Sequence, residues 1–166
     1  MSQSTSAQGM VDGAFTQVLG LPVWAPAVGV GSFLTIEFGD ARINSVGVPQ
    51  GEFHLWVFGA GWEILEGMRT LASSSDDHAA MVAGARVLDG SSMQGFVFDR
   101  ERMTLNLQFD PYELAITPLG DPEMEEWSLY LDDGTVITAG PGEIVTRDSA
   151  SFSQLLPDDR DDVRRN

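Results

Sequence analysis

From residue 103 to 109 apolar and polar side chains alternate: Leu105, Leu107 and Phe109 against Thr104, Asn106 and Gln108. A period of two puts one set on each side of a pleated strand, so the segment predicts a half-buried β-strand. The same period marks residues 32–38, where Leu34, Ile36 and Phe38 oppose Thr35 and Glu37, and residues 112–117, where Tyr112, Leu114 and Ile116 align. Residues 52–58 are, after Glu52, apolar on both sides except at His54, the pattern of a central strand covered on two faces. Gly59-Ala60-Gly61 interrupts that run before residues 62–65 resume it, which predicts a bulge or sharp bend. Residues 95–98 turn at 99–102 into the strand at 103. Residues 125–131 and 135–139 flank Asp132-Asp133-Gly134, a strong hairpin signal.

Helical spacing is rarer. Val11, Phe15, Val18 and Leu19 share one face of a short helix over 11–19, ended by Gly20 and Pro22. Met81, Val82, Ala85 and Leu88 share a face of a second over 78–88, opened by Asp76-Asp77 and closed by Asp89-Gly90. The order of elements predicts an α+β fold: a mostly antiparallel, meandering sheet with one or two helices packed on a face. One domain over 10–153 is expected, between a disordered arm at 1–9 and a charged, disordered tail at 154–166.

Charge changes the picture more than length does. The 166 residues carry 25 acids against nine bases, all nine arginine, for a formal charge of −16. Such a chain is poorly suited to neutralising phosphates, so nucleic acid and anionic membrane surfaces are not expected partners. With no cysteine, thiolate metal sites, disulfides and cysteine nucleophiles are excluded. The start shows no signal peptide, and no apolar run reaches the roughly 18 residues of a membrane helix, which predicts a cytoplasmic protein. Between Met103 and Thr146 nine carboxylates occur without one base. The segment also carries strand-forming apolar residues, so it should fold and project a coherent negative field.

Two sets of residues are candidates for function. Asp121, Glu123, Glu125 and Glu126 crowd a loop before Trp127, with Glu113 on the outer face of a nearby strand. An aromatic beside carboxylates suits a protein-binding rim, although the alternation of Trp127 with Leu129 and Leu131 points it toward the core. The second set is His54 with Trp56, Trp62 and Glu63 around a pocket. His54 is expected to hydrogen-bond a neighbour; as a general base it would draw on Glu52 or Glu63. No catalytic residue is assigned: nucleophile-elbow, dinucleotide and phosphate-loop patterns are missing. Asp76-Asp77-His78 reads as a helix cap rather than a metal cluster, and neither a metal nor a cofactor is implied.

The stretch Gly51-Glu52-Phe53-His54-Leu55-Trp56-Val57-Phe58, followed by Trp62-Glu63-Ile64, resembles a group of small acidic bacterial α+β proteins. Ser75-Asp76-Asp77 and Glu125-Glu126-Trp127 are similar to theirs too, so that the likeness spans residues 15–145. It implies an immunity or accessory protein of a toxin system and little chemistry. The leading expectation is therefore a non-enzymatic acidic protein that occludes a basic partner, such as a toxin nuclease domain, after electrostatic steering. The alternatives are a small-ligand binder or enzyme at His54, and a structural assembly subunit. The oligomeric state stays open.

Overall fold

The computed structural model describes residues 6–44 and 46–148. The elements run α1 (Ala7–Thr16), β1 (Val23–Val28), β2 (Leu34–Ile43), β3 (Pro49–Val57), β4 (Ala60–Glu66), β5 (Arg69–Ser73), α2 (His78–Arg86), β6 (Gly95–Asp99), β7 (Thr104–Gln108), β8 (Tyr112–Pro118), β9 (Trp127–Tyr130), β10 (Thr135–Ala139) and β11 (Ile144–Asp148). Strands dominate, every pairing is antiparallel and two helices are present, so the class is broadly α+β.

The single meandering sheet is corrected to two sheets. One has the order β1-β2-β3-β9-β10-β11, the other β5-β4-β8-β7-β6. Hairpins build most of each, but β3 with β9 and β4 with β8 pair across long stretches of chain. The two sheets share one core. Leu34, Ile36, Phe38, Leu55, Val57 and Leu129 come from the six-stranded sheet, Trp62, Ile64, Leu105, Leu107, Leu114 and Ile116 from the other. Phe38 stacks on Phe109 at 6.4 Å, and the Trp62 indole donates to the Ser32 carbonyl at 2.8 Å. Each fully buried large side chain contributes about 1.5–3 kcal/mol, so these contacts hold the sheets together.

Each helix touches both sheets. α1 packs on β6 and on β10 and β11, while α2 packs on the edge strands β1 and β5. Ser6 caps α1 by accepting from Gly9 N at 3.0 Å, and Phe15 reaches both Phe96 and Trp127. Helix α1 begins at Ala7, so the arm expected at 1–9 is helical from there; residues 1–5, 149–153 and the expected tail at 154–166 lie outside the described residues. Asp77 caps α2 through Ala80 N at 2.8 Å, as its position before the apolar face predicts. Among the described residues no helix is long and apolar enough to cross a membrane.

One joint between the sheets depends on a missing side chain. The chain passes from β3 to β4 through Phe58 and Gly59, whose amides both donate to the Glu126 carbonyl. A Cβ on Gly59 would lie 1.8 Å from the Glu125 carbonyl oxygen.

Candidate functional site

Strand β2 runs through Gly39 and Asp40 to Ile43, with a bulge between Phe38 and Ala41. That bulge sets the register of its hairpin with β3, in which Glu37 faces His54. Extending the pairs across the sheet gives a transverse row on the outer face: Trp24, Glu37, His54, Tyr130. Neighbouring strands are about 4.8 Å apart, so the row spans roughly 14 Å.

At its centre is a hydrogen-bonded pair. His54 Nδ1 lies 2.7 Å from Glu37 Oε1 and also contacts Oε2. A carboxylate only accepts, so Nδ1 carries the proton and Nε2 is left for other chemistry. Glu37 is only 6% exposed, and its Oε1 accepts a further bond from Gly51 N at 3.2 Å. Gly51 must be glycine for this approach, because a Cβ would lie 2.6 Å from the Phe38 carbonyl oxygen. The imidazole meets the Tyr130 ring edge-on at 5.4 Å. Burial, and after it the Glu125 carboxylate, raises the Tyr130 hydroxyl above its ordinary pKa, so it stays protonated near neutrality.

Two cavities flank the row. One, of about 340 Å³, is lined by Trp24, Ala25, Thr35, Glu37, His54 and the hairpin end at Asn44, Val48, Pro49 and Gln50. The other, of about 260 Å³, lies between Arg42, Glu52, Tyr130 and Asp132, and shares Asn44 and Gln50 as a common wall. Trp24 is fixed by its indole N–H, which donates to the Gly39 carbonyl at 2.8 Å. Ala25 beside it has φ +49°, a left-handed conformation that costs a non-glycine residue of order 1 kcal/mol or more. It falls where β1 slips register against β2. Strain of this kind collects at binding and catalytic sites.

Of the expected pocket residues His54, Trp56, Trp62 and Glu63, His54 alone lines one of these two cavities. His54 and Trp56 share the outer face, where Trp56 packs on Phe58 at 4.3 Å and on Phe33 at 6.2 Å. Trp62 does not belong: at 1% exposure it is core. Glu63 is exposed on the other sheet, opposite Ser73 and Ala115, and Glu52 accepts from Asp40 N at 2.8 Å instead of reaching the imidazole. Sequence reasoning missed Glu37 and Trp24. The outward phase of β2 places Glu37 on this face, but its partner was not legible: the pairs Ala41–Gly51 to Ile43–Pro49, carried on unbroken, would set 37 opposite 55, and the bulge moves it to His54.

The acidic set disperses. Trp127 is 0% exposed and lies edge-on to Phe15 at 5.7 Å, so it is core and not a binding rim. Glu126 is buried at 7% exposure, and its Oε2, like Trp127 Nε1, lacks a hydrogen-bond partner among the described residues. Desolvation raises its pKa. Glu113 pairs opposite Leu65 and Gln108 on the five-stranded sheet, away from the loop. Asp121 accepts from Glu123 N at 2.9 Å in an Asx turn, and Glu125 pairs with Arg147 at 3.6 Å. Asp121 and Glu123 alone of the loop carboxylates are fully exposed. Asp133 accepts from Thr135 N at 2.9 Å in the predicted hairpin, a bond that lowers its pKa. Among the described residues no group of three or more histidine or acidic side chains is placed to hold a metal ion. Comparisons with protein-family models, with curated proteins and with solved structures find no match to this chain.

Proposed function

We propose that this chain binds a small ligand on the outer face of its six-stranded sheet, in the cavity between Trp24, His54 and the hairpin end at Asn44, Val48, Pro49 and Gln50. The observation that carries the reading is the Glu37–His54 pair, which lines a cavity instead of serving the core. A buried carboxylate that orients an imidazole is the arrangement that fixes which nitrogen meets a ligand. His54 Nε2 then accepts a proton or hydrogen bond from it, while Glu37 is a positioning residue. The cavity is also of ordinary size for such a site, about 300–1,000 Å³.

A fragment screen by protein NMR tests this. Hits that move the His54, Gln50 and Trp24 resonances, and that bind about tenfold more weakly to His54→Ala, support the reading. Hits confined to other faces, or affinities indifferent to His54→Ala in a folded variant, overturn it.

A second reading keeps the acidic surface. Leu119 and Met124, 70% and 41% exposed, flank Asp121 and Glu123 on the β8–β9 loop, and an apolar centre with a charged rim suits a protein partner. The partner would be a basic protein, most concretely a toxin nuclease domain held by an immunity protein in the cytoplasm. Pull-downs at low and high salt check it: capture of a basic protein whose association slows with salt supports it, and capture of none removes it.

A further inference from the structure

We propose that the ligand of this cavity is a neutral sugar; the inference rests on the ligand-binding reading above and is drawn from which polar groups the fold leaves unengaged. Every carboxylate at the site already has work within the protein. Glu37 accepts from His54 and Gly51, Glu52 from Asp40 N, and Asp132 from Arg42. Among the described residues the only guanidinium lining either cavity is that of Arg42, which pairs with Asp132. An anionic ligand meets a single guanidinium, already paired with a carboxylate, and faces a chain of charge −16. A cationic ligand would have to compete with the bonds that hold the hairpin.

The remaining groups are neutral, and between them they offer both donors and acceptors. Gln50 makes no side-chain hydrogen bond among the described residues, nor do Thr35 and the Nε2 atom of His54. Asn44 uses its Oδ1 for Val46 N and Val48 N, at 3.1 and 2.9 Å, which leaves its amide N–H groups as donors. Hydroxyls suit such a set because each donates and accepts at once. The apolar requirement is met beside them. With its N–H tied to Gly39, Trp24 offers only its ring, and Val48 and Pro49 line the same cavity. A pyranose has this division, with an apolar C–H face and an equatorial rim of hydroxyls, and its C–H groups are drawn to the negative face of an indole. The second cavity, beyond the shared Asn44 and Gln50, gives room for a further sugar unit against Tyr130.

Titration of the isotope-labelled full chain separates the outcomes. The probes are glucose, galactose, N-acetylglucosamine and their β-1,4-linked disaccharides, against putrescine as a cation and inorganic phosphate as an anion, each to tens of millimolar. The expected result is that at least one sugar shifts the Gln50 side-chain amide and the Trp24 indole N–H, that its disaccharide binds more tightly, and that Gln50→Ala and Trp24→Leu each weaken it about tenfold. Trp24→Leu is judged beside Gln50→Ala because the indole also ties down the bulge. Shifts of these signals by putrescine or phosphate, with none from any sugar, overturn the sugar and leave the binding site standing. Silence from all probes, together with an empty fragment screen, overturns both.

Discussion

Glu126 is the one carboxylate of the acidic segment that burial has visibly altered. Its raised pKa means the folded state binds a proton more tightly than the unfolded chain does. The side chain therefore costs nothing below the unfolded value near 4.5, and it destabilises progressively as pH rises through the folded value. Glu126→Gln is isosteric and removes that cost. It should raise the urea midpoint at pH 7 and leave it nearly unchanged at pH 4, and a gap that widened on acidification would contradict the assignment. Asp77 behaves oppositely in kind: its carboxylate satisfies a helix amide, and Asp77→Ala should cost about 1 kcal/mol by urea denaturation. These two residues mark what single positions disclose. The Asp77 cap needs only local sequence, whereas the burial of Glu126 depends on Ala139 and Gly140, brought to it by a hairpin.

The β2–β3 hairpin is the element that makes the candidate site, and its register rests on Gly51. Gly51→Ala places a methyl group against the Phe38 backbone and withdraws the amide that steadies Glu37. We expect a loss of about 1–3 kcal/mol and broadened His54 resonances, read by denaturation and NMR. Gly59→Ala, at the joint between sheets, should be worse and yield little folded protein, because the obstructing atom is backbone. An intact, well-dispersed spectrum for Gly59→Ala would mean that the joint can move. Elements with strong period-two alternation were legible: β3, β7, β8 and the β9–β10 hairpin fall where the pattern puts them, and β2 starts there but runs on to Ile43. Strands β1, β5 and β11 were not. β1 contains Pro26 and a bulge, β5 begins with Arg69 and Thr70, both exposed, and β11 follows a Gly-Pro-Gly turn with little alternation to read. The second sheet escaped for a different reason. Pairing of β3 with β9 and β4 with β8 is fixed by packing across the core, not by any turn.

At the scale of the molecule, the charge of −16 stands as a property of the whole surface and not of one patch. The carboxylates between Met103 and Thr146 go to a buried position, to turns, to an arginine pair and to opposite sheets. The fold tolerates this because its core is continuous through both sheets while the described acids other than Glu37 and Glu126 are not buried. Two salt effects then oppose each other. Screening relieves the repulsion among unpaired acids over a Debye length that falls from about 30 Å at 0.01 M to about 8 Å at 0.15 M. It also weakens exposed pairs such as Arg42–Asp132 and Arg147–Glu125, but each of those is worth about 0–1 kcal/mol. With so few pairs among the described residues against so large an excess of like charge, repulsion should win. Thermal unfolding followed from low to physiological sodium chloride should therefore show Tm rising by several degrees, where about 1 kcal/mol corresponds to roughly 2–4 °C. A flat or falling Tm would mean that the few arginines are placed well enough to offset the field, and the acids would then be an organised surface after all.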